Sequence, residues 1–167
     1  MEKRDLYDKD FNLTGETIFK GEPIPNGRYI IVVLAFIQNS KGELLIQKRS
    51  LKKNGKYAAT GGHAKSGETC LEAIISEIKE ELGLTVLPNE LNLLYSGRED
   101  SEQVFHNLYY LQKDFEITDL VLQKEEVDFV KWFSISEVEQ LIKDCLFFEN
   151  HAEEFYRLLD ILKEKKL

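Results

Sequence analysis

The apolar positions of this chain fall into two periodicities. Tyr29 to Gln38 (YIIVVLAFIQ) is a strand-length run of β-branched and aromatic residues without polar alternation, the pattern of a strand buried on both faces. A turn, Asn39-Ser40-Lys41-Gly42, separates it from Glu43 to Arg49 (ELLIQKR), which is expected to pair antiparallel with it. Asn92 to Ser96 reads as extended, Gln103 to Gln112 as an aromatic-rich strand, and Leu122 to Phe133 as an acidic start running into an alternating strand. Near the N-terminus, Leu6 to Asp8 and Glu16 to Lys20 flank the turn-rich Asp10 to Gly15, which predicts a hairpin. Gly21 to Gly27 holds two of the three prolines and is a loop.

Helical periodicity appears three times. After a glycine-bounded loop from Gly61 to Gly67, the spacing predicts a helix over 68–82 stopped by Gly83, with Leu71, Ile74, Ile75, Ile78 and Leu82 as its apolar stripe. A helix from Glu137 to Ile142 follows a cap at Ser134 or Ser136. A last helix starts at Glu149 or Ala152, runs to Lys165, and carries Phe155, Leu158, Leu159 and Leu162 at helical spacing. Strands, a helix, more strands and then helices make an α+β, mixed-sheet sandwich rather than a βαβ alternation. No repeat or long linker interrupts the chain, so one domain over 1–167 is expected.

Bulk properties narrow the partners. The chain has 167 residues and a formal charge of −8, which argues against a general affinity for nucleic acid or anionic membranes. The longest apolar run is too short to span a bilayer. Cys70 and Cys145 form no disulfide framework, and the charged start Met1 to Asp5 has no signal-peptide pattern, so a cytoplasmic setting is expected.

Candidate chemistry sits on the first helix. Glu77, Glu80 and Glu81 fall within roughly 100° of its arc, opposite the apolar stripe. Like charges so placed repel each other, and a hard divalent cation with oxygen ligands, Mg²⁺ or Mn²⁺, would turn that repulsion into coordination. The bland alternative is a solvated acidic face. Upstream, Arg49 ends a strand and has a guanidinium suited to phosphate, whereas Lys52, Lys53 and Lys56 sit on a loop tip.

From Gly62 to Leu84 the sequence resembles the Nudix hydrolase signature. Gly62, Glu68, Glu77, Ile78, Glu80, Glu81, Gly83 and Leu84 stand at the family's spacing, and Ser76 replaces its arginine. The hydrophobic strand, LLIQKR and the acidic segment before Trp132 also resemble the family. The resemblance implies an α/β/α sandwich with a mixed sheet over residues 28–142, an N-terminal hairpin extension at 1–27, and a C-terminal helix within 143–167. It implies Mg²⁺-dependent hydrolysis of a small-molecule diphosphate, often linked to a nucleoside, with a homodimer as one possible assembly. By position, Glu77 matches the catalytic or metal-organising glutamate, Glu80 and Glu81 match metal ligands, and the Gly61 carbonyl matches a backbone ligand. A later ligand or base is assigned to Glu126, with Glu125 the alternative. Glu68 is expected to brace loop and helix, and His63 to touch substrate or metal.

Two features complicate that assignment. The family arginine is thought to orient the catalytic glutamate, which Ser76 cannot do by ion pairing. The enzyme is then either active with Glu77 held by other donors or a weakened catalyst that mainly binds a ligand. The N-terminal segment and His63 are also similar to a subgroup like the type 1 isopentenyl-diphosphate isomerases. That chemistry would need a cysteine where Gly61 stands and histidines ahead of the loop. The histidines are His63, His106 and His151, so hydrolysis is the favoured reading.

Overall fold

The structure, a computed structural model, describes residues 1–165; the last two positions of the expected C-terminal segment lie outside them. Two strands, β1 (Lys3–Tyr7) and β2 (Leu13–Phe19), form the antiparallel N-terminal hairpin. Its turn is tightened by the Asp8 carboxylate, which accepts from the backbone N–H of Asp10 and Asn12.

Next come β3 (Ile30–Gln38), β4 (Leu44–Arg49), β5 (Tyr57–Ala58), β6 (Thr60–His63), α1 (Cys70–Leu82), β7 (Asn92–Glu99), β8 (Val104–Gln112), β9 (Val127–Phe133), α2 (Ile135–Lys143) and α3 (Glu149–Lys165). The seven strands β3 to β9 make one mixed sheet. β3 is its spine. It pairs in parallel with β8 along its whole length, from Ile30–Val104 to Gln38–Gln112. Alternate β3 residues serve two cores. Ile31, Val33, Ala35 and Ile37 pack with Ile74, Ile78 and Leu82 of α1. Leu34 and Phe36 pack with Phe155 and Leu158 of α3 and Val138 of α2. That double burial is what the uninterrupted apolar run encodes, and it makes a helix–sheet–helix sandwich.

Two expectations need correction, and a third holds over a single residue pair. β4 does pair antiparallel with β3, but only through Gln38 and Leu44. Beyond that point β6 takes the place beside β3, and β4 turns to β5 and β9. The Gly61-Gly62 stretch is therefore a strand, not a loop. Glycine there answers to crowding: a Cβ on Gly61 would lie 2.3 Å from the Val33 carbonyl oxygen. Finally, α1 begins two residues later than 68. Thr69 is its N-cap, in a capping box with Glu72, and this leaves the Glu68 side chain outside the helix. Gly83 closes α1 in the left-handed conformation.

Candidate active site

The site is built where α1, β6, β4 and the segment before β9 meet. The apolar stripe seats α1, with Ile74, Ile78 and Leu82 fully buried. Seating that stripe turns Glu77 and Glu81, one helical turn apart, toward β6 and the cavity. Glu77 presses on Gly62 so closely that a Cβ there would lie 2.5 Å from the Glu77 carboxyl carbon. Past the end of α1, Val121 and Gln123 donate backbone N–H bonds to the Leu82 and Glu81 carbonyls. The following residues are stitched to β4, because the Ser50 amide donates to the Glu126 carbonyl and its hydroxyl to the Glu125 carbonyl. Glu126 thereby lines the cavity, whereas Glu125 is exposed and does not.

The cavity holds about 650 Å³, a volume suited to a small molecule. Its walls bring together Arg49, Gly61, Gly62, His63, Glu77, Glu80, Glu81 and Glu126. Glu68, Ser76 and Gly83 stay outside it and belong to the frame. Glu68 accepts from the Lys65 amide at 2.7 Å and from the Ser76 hydroxyl at 2.8 Å, so its carboxylate ties the loop to the helix.

The acidic residues are not equivalent. Glu80 is exposed and pairs with the Lys65 ammonium at 3.0 Å. Glu126 pairs with Lys53 at 2.9 Å. Burial pushes the Glu77 carboxyl up to about 7, with Lys65 pulling it down and Glu80 adding to the rise. Burial also pushes Glu81 up to about 8, and the Glu77 charge adds to it. Glu81 Oε1 is buried without a hydrogen-bond partner, an uncommon state for a carboxylate oxygen. Burial lowers the Arg49 guanidinium, while Glu81 and Glu126 support its charge. It lies 4.7 Å from the centre of the Phe148 ring. His63 is desolvated and faces Arg4, which together press it down to about 4, so it is neutral at pH 7.

This donor set suits a hard cation. It offers carboxylate oxygens from α1 and from the segment before β9, one of them unpartnered, on a surface whose like charges raise the pKa of Glu77 and Glu81. Among the described residues, no three His, Cys, Asp or Glu side chains are already gathered closely enough to hold an ion. Lys65 and Lys53 hold two of the carboxylates instead.

Among the lining residues that escaped the sequence reading are Gln47 and His151. Gln47, on the same face of β4 as Arg49, has a buried, unpartnered Oε1. His151, on α3, accepts a hydrogen bond at Nδ1 from the Ala59 amide and is pressed down to about 3 by burial, with Arg49 adding to the effect. Period-two spacing from Arg49 could have flagged Gln47; nothing local flags His151.

Comparison with known proteins agrees with this geometry. The NUDIX domain family model matches residues 28–159. An uncharacterized Nudix hydrolase of Listeria monocytogenes is 36% identical over 145 residues, covering 84% of this chain and 85% of that protein. An ADP-ribose pyrophosphatase of Methanocaldococcus jannaschii is 36% identical over 67 residues, 40% of each chain. A crystal structure of a Deinococcus radiodurans protein superposes with a TM-score of 0.79 at 24% identity, covering 93% of this chain and 98% of that one. With Glu77, Glu80 and Glu81 of its signature lining one cavity and its fold shared, this chain belongs to the Nudix hydrolase family.

Proposed function

We propose that the protein hydrolyses the diphosphate linkage of a nucleoside diphosphate-linked or other organic diphosphate, with Mg²⁺ or Mn²⁺ as its cation. The observation that carries this reading is the pairing of half-buried Glu77 with buried Glu81, whose Oε1 is unpartnered, in a cavity that also presents Arg49. Glu77, Glu80, Glu81, Glu126 and the Gly61 carbonyl would hold the cation. When bound, it supplies charge neutralisation at the phosphoryl oxygens and a water of lowered pKa. Arg49, stiffened against Phe148, orients the diphosphate through planar, paired N–H donors. Glu77 or Glu126 accepts the proton of the attacking water. The pyrophosphatase relative supports including ADP-ribose among the candidates. The net charge of −8 favours a small-molecule partner over nucleic acid, and no helix among the described residues is long and apolar enough to cross a membrane.

The test is a panel of nucleoside diphosphate sugars, ADP-ribose, deoxynucleoside triphosphates and isopentenyl diphosphate with Mg²⁺, followed for phosphate release and for isomerisation. Hydrolysis that disappears in Glu81→Gln is the expected result. Isomerised product without phosphate release would overturn the reading. So would metal binding without turnover of any compound.

A further inference from the structure

Glu77 has no arginine beside it, and the Ser76 hydroxyl is committed to Glu68. We infer that Lys65 is the positioning residue for Glu77, and that the N-terminal hairpin is the strap that keeps Lys65 in place. This rests on the hydrolase reading of the site. The hairpin lies outside the residues matched by the family model.

The geometry runs in an unbroken path. Three hydrogen bonds join β1 to the two residues after Lys65. The Ser66 amide donates to the Lys3 carbonyl at 2.7 Å, the Ser66 hydroxyl to Asp5 at 2.6 Å, and the Gly67 amide to the other Asp5 oxygen at 2.8 Å. Bonds to an ionised acceptor are the stronger kind. Lys65 is fixed at its own amide by Glu68, whose second oxygen holds Ser76 on α1. From this anchored backbone the Lys65 ammonium reaches Glu80 at 3.0 Å and Glu77 at 4.0 Å. Glu77 is confined between that ammonium and the Gly62 backbone. A positive charge on a tethered loop thus does for Glu77 what a neighbour on its own helix would otherwise do.

The competing account is that Lys65 merely neutralises carboxylates awaiting a cation. Kinetics and metal affinity separate the two. Lys65→Met should lower kcat about 30-fold with KM changed less than about threefold, and Lys65→Arg should return kcat to within about threefold of wild type. Asp5→Ala should lower kcat about tenfold, and adding it to Lys65→Met should cost less than about twofold more, since both act on one path. Mn²⁺ affinity, titrated without substrate, should tighten about two- to fivefold in both single variants and no further in the double, because a competing ammonium has been removed or released.

An unchanged kcat with tighter Mn²⁺ binding would overturn the positioning role, as would Lys65→Arg behaving like Lys65→Met. Additive losses would overturn the strap. Lost Mn²⁺ binding in Lys65→Met would overturn both. If the wild-type chain hydrolyses nothing in the panel, the hydrolase reading fails separately. The Mn²⁺ series then decides the strap by the same non-additivity.

Discussion

The cavity has two walls that both bury ionisable groups, and they solve that problem in opposite ways. On the α3 wall each such group is satisfied. His151 accepts the Ala59 amide, and Glu154, only 5% exposed, accepts from Arg157, whose guanidinium lies 3.7 Å from the Tyr95 ring centre. On the α1 wall Glu81 is 7% exposed with an oxygen that nothing fills. A satisfied buried group is architecture. An unsatisfied one beside like charges costs folding free energy, and a ligand that completes it recovers that cost. The proposed chemistry is therefore assigned to the α1 wall.

The contrast can be broken by experiment. The largest expected effect is on the α1 wall: Glu81→Gln should reduce kcat about 1,000-fold, about 4 kcal/mol of barrier, without lowering the melting temperature of the metal-free protein. A drop in that temperature would make Glu81 structural. On the other wall, Phe155→Ala should cost about 3 kcal/mol of stability, because it empties a fully buried ring site between α3 and β3. Denaturant unfolding measures that loss, and kcat of the folded fraction should stay within about threefold. Mg²⁺ at about 100 times its dissociation constant should stabilise the wild type by about 2.7 kcal/mol in thermal unfolding. The same addition should leave Glu81→Gln nearly unmoved.

The smallest effects are in pH dependence, and the two walls should slope in opposite directions. Glu77 and Glu81 titrate near 7 and 8 in the fold against 4.5 in the unfolded chain. The native state therefore holds more protons across that window, and their contribution to stability falls as pH rises from 4.5 to 8. His151 titrates near 3 against 6.5 unfolded. Its contribution is present above pH 6.5 and is lost as pH falls toward 3. In metal-free protein followed by thermal unfolding, Glu81→Gln should flatten the alkaline slope and His151→Gln the acidic one. Each substitution acting on the opposite limb would show that the walls are not distinct.

How much of this was legible in the sequence depends on the range of the interaction. The spine strand, α1 with its apolar stripe and the hairpin follow from periodicities within a dozen residues, and so does the grouping of Glu77, Glu80 and Glu81. Gly61-Gly62 was misread because glycine lacks strand propensity; the reason for glycine is the Val33 carbonyl, a contact across the sheet. The pairing of Lys65 with Glu80 spans 15 positions, that of Lys53 with Glu126 spans 73, and that of His151 with Ala59 spans 92. Such partners have no local signature, so sequence names the acidic residues but not the cations that hold them.

The pairing of β3 with β8 has a kinetic consequence. Ile30 and Val104 are parallel partners 74 positions apart, and the segment between them contains β6, α1 and every signature carboxylate. Closing so long a loop is entropically slow, and nonlocal parallel pairing is typical of slow folders. Until that loop closes, α1 has only part of its sheet to dock on, and Glu77 and Glu81 stay hydrated with ordinary acidity. The unusual protonation behaviour of the site should therefore appear late in refolding, together with the central strands rather than with the helix that carries it.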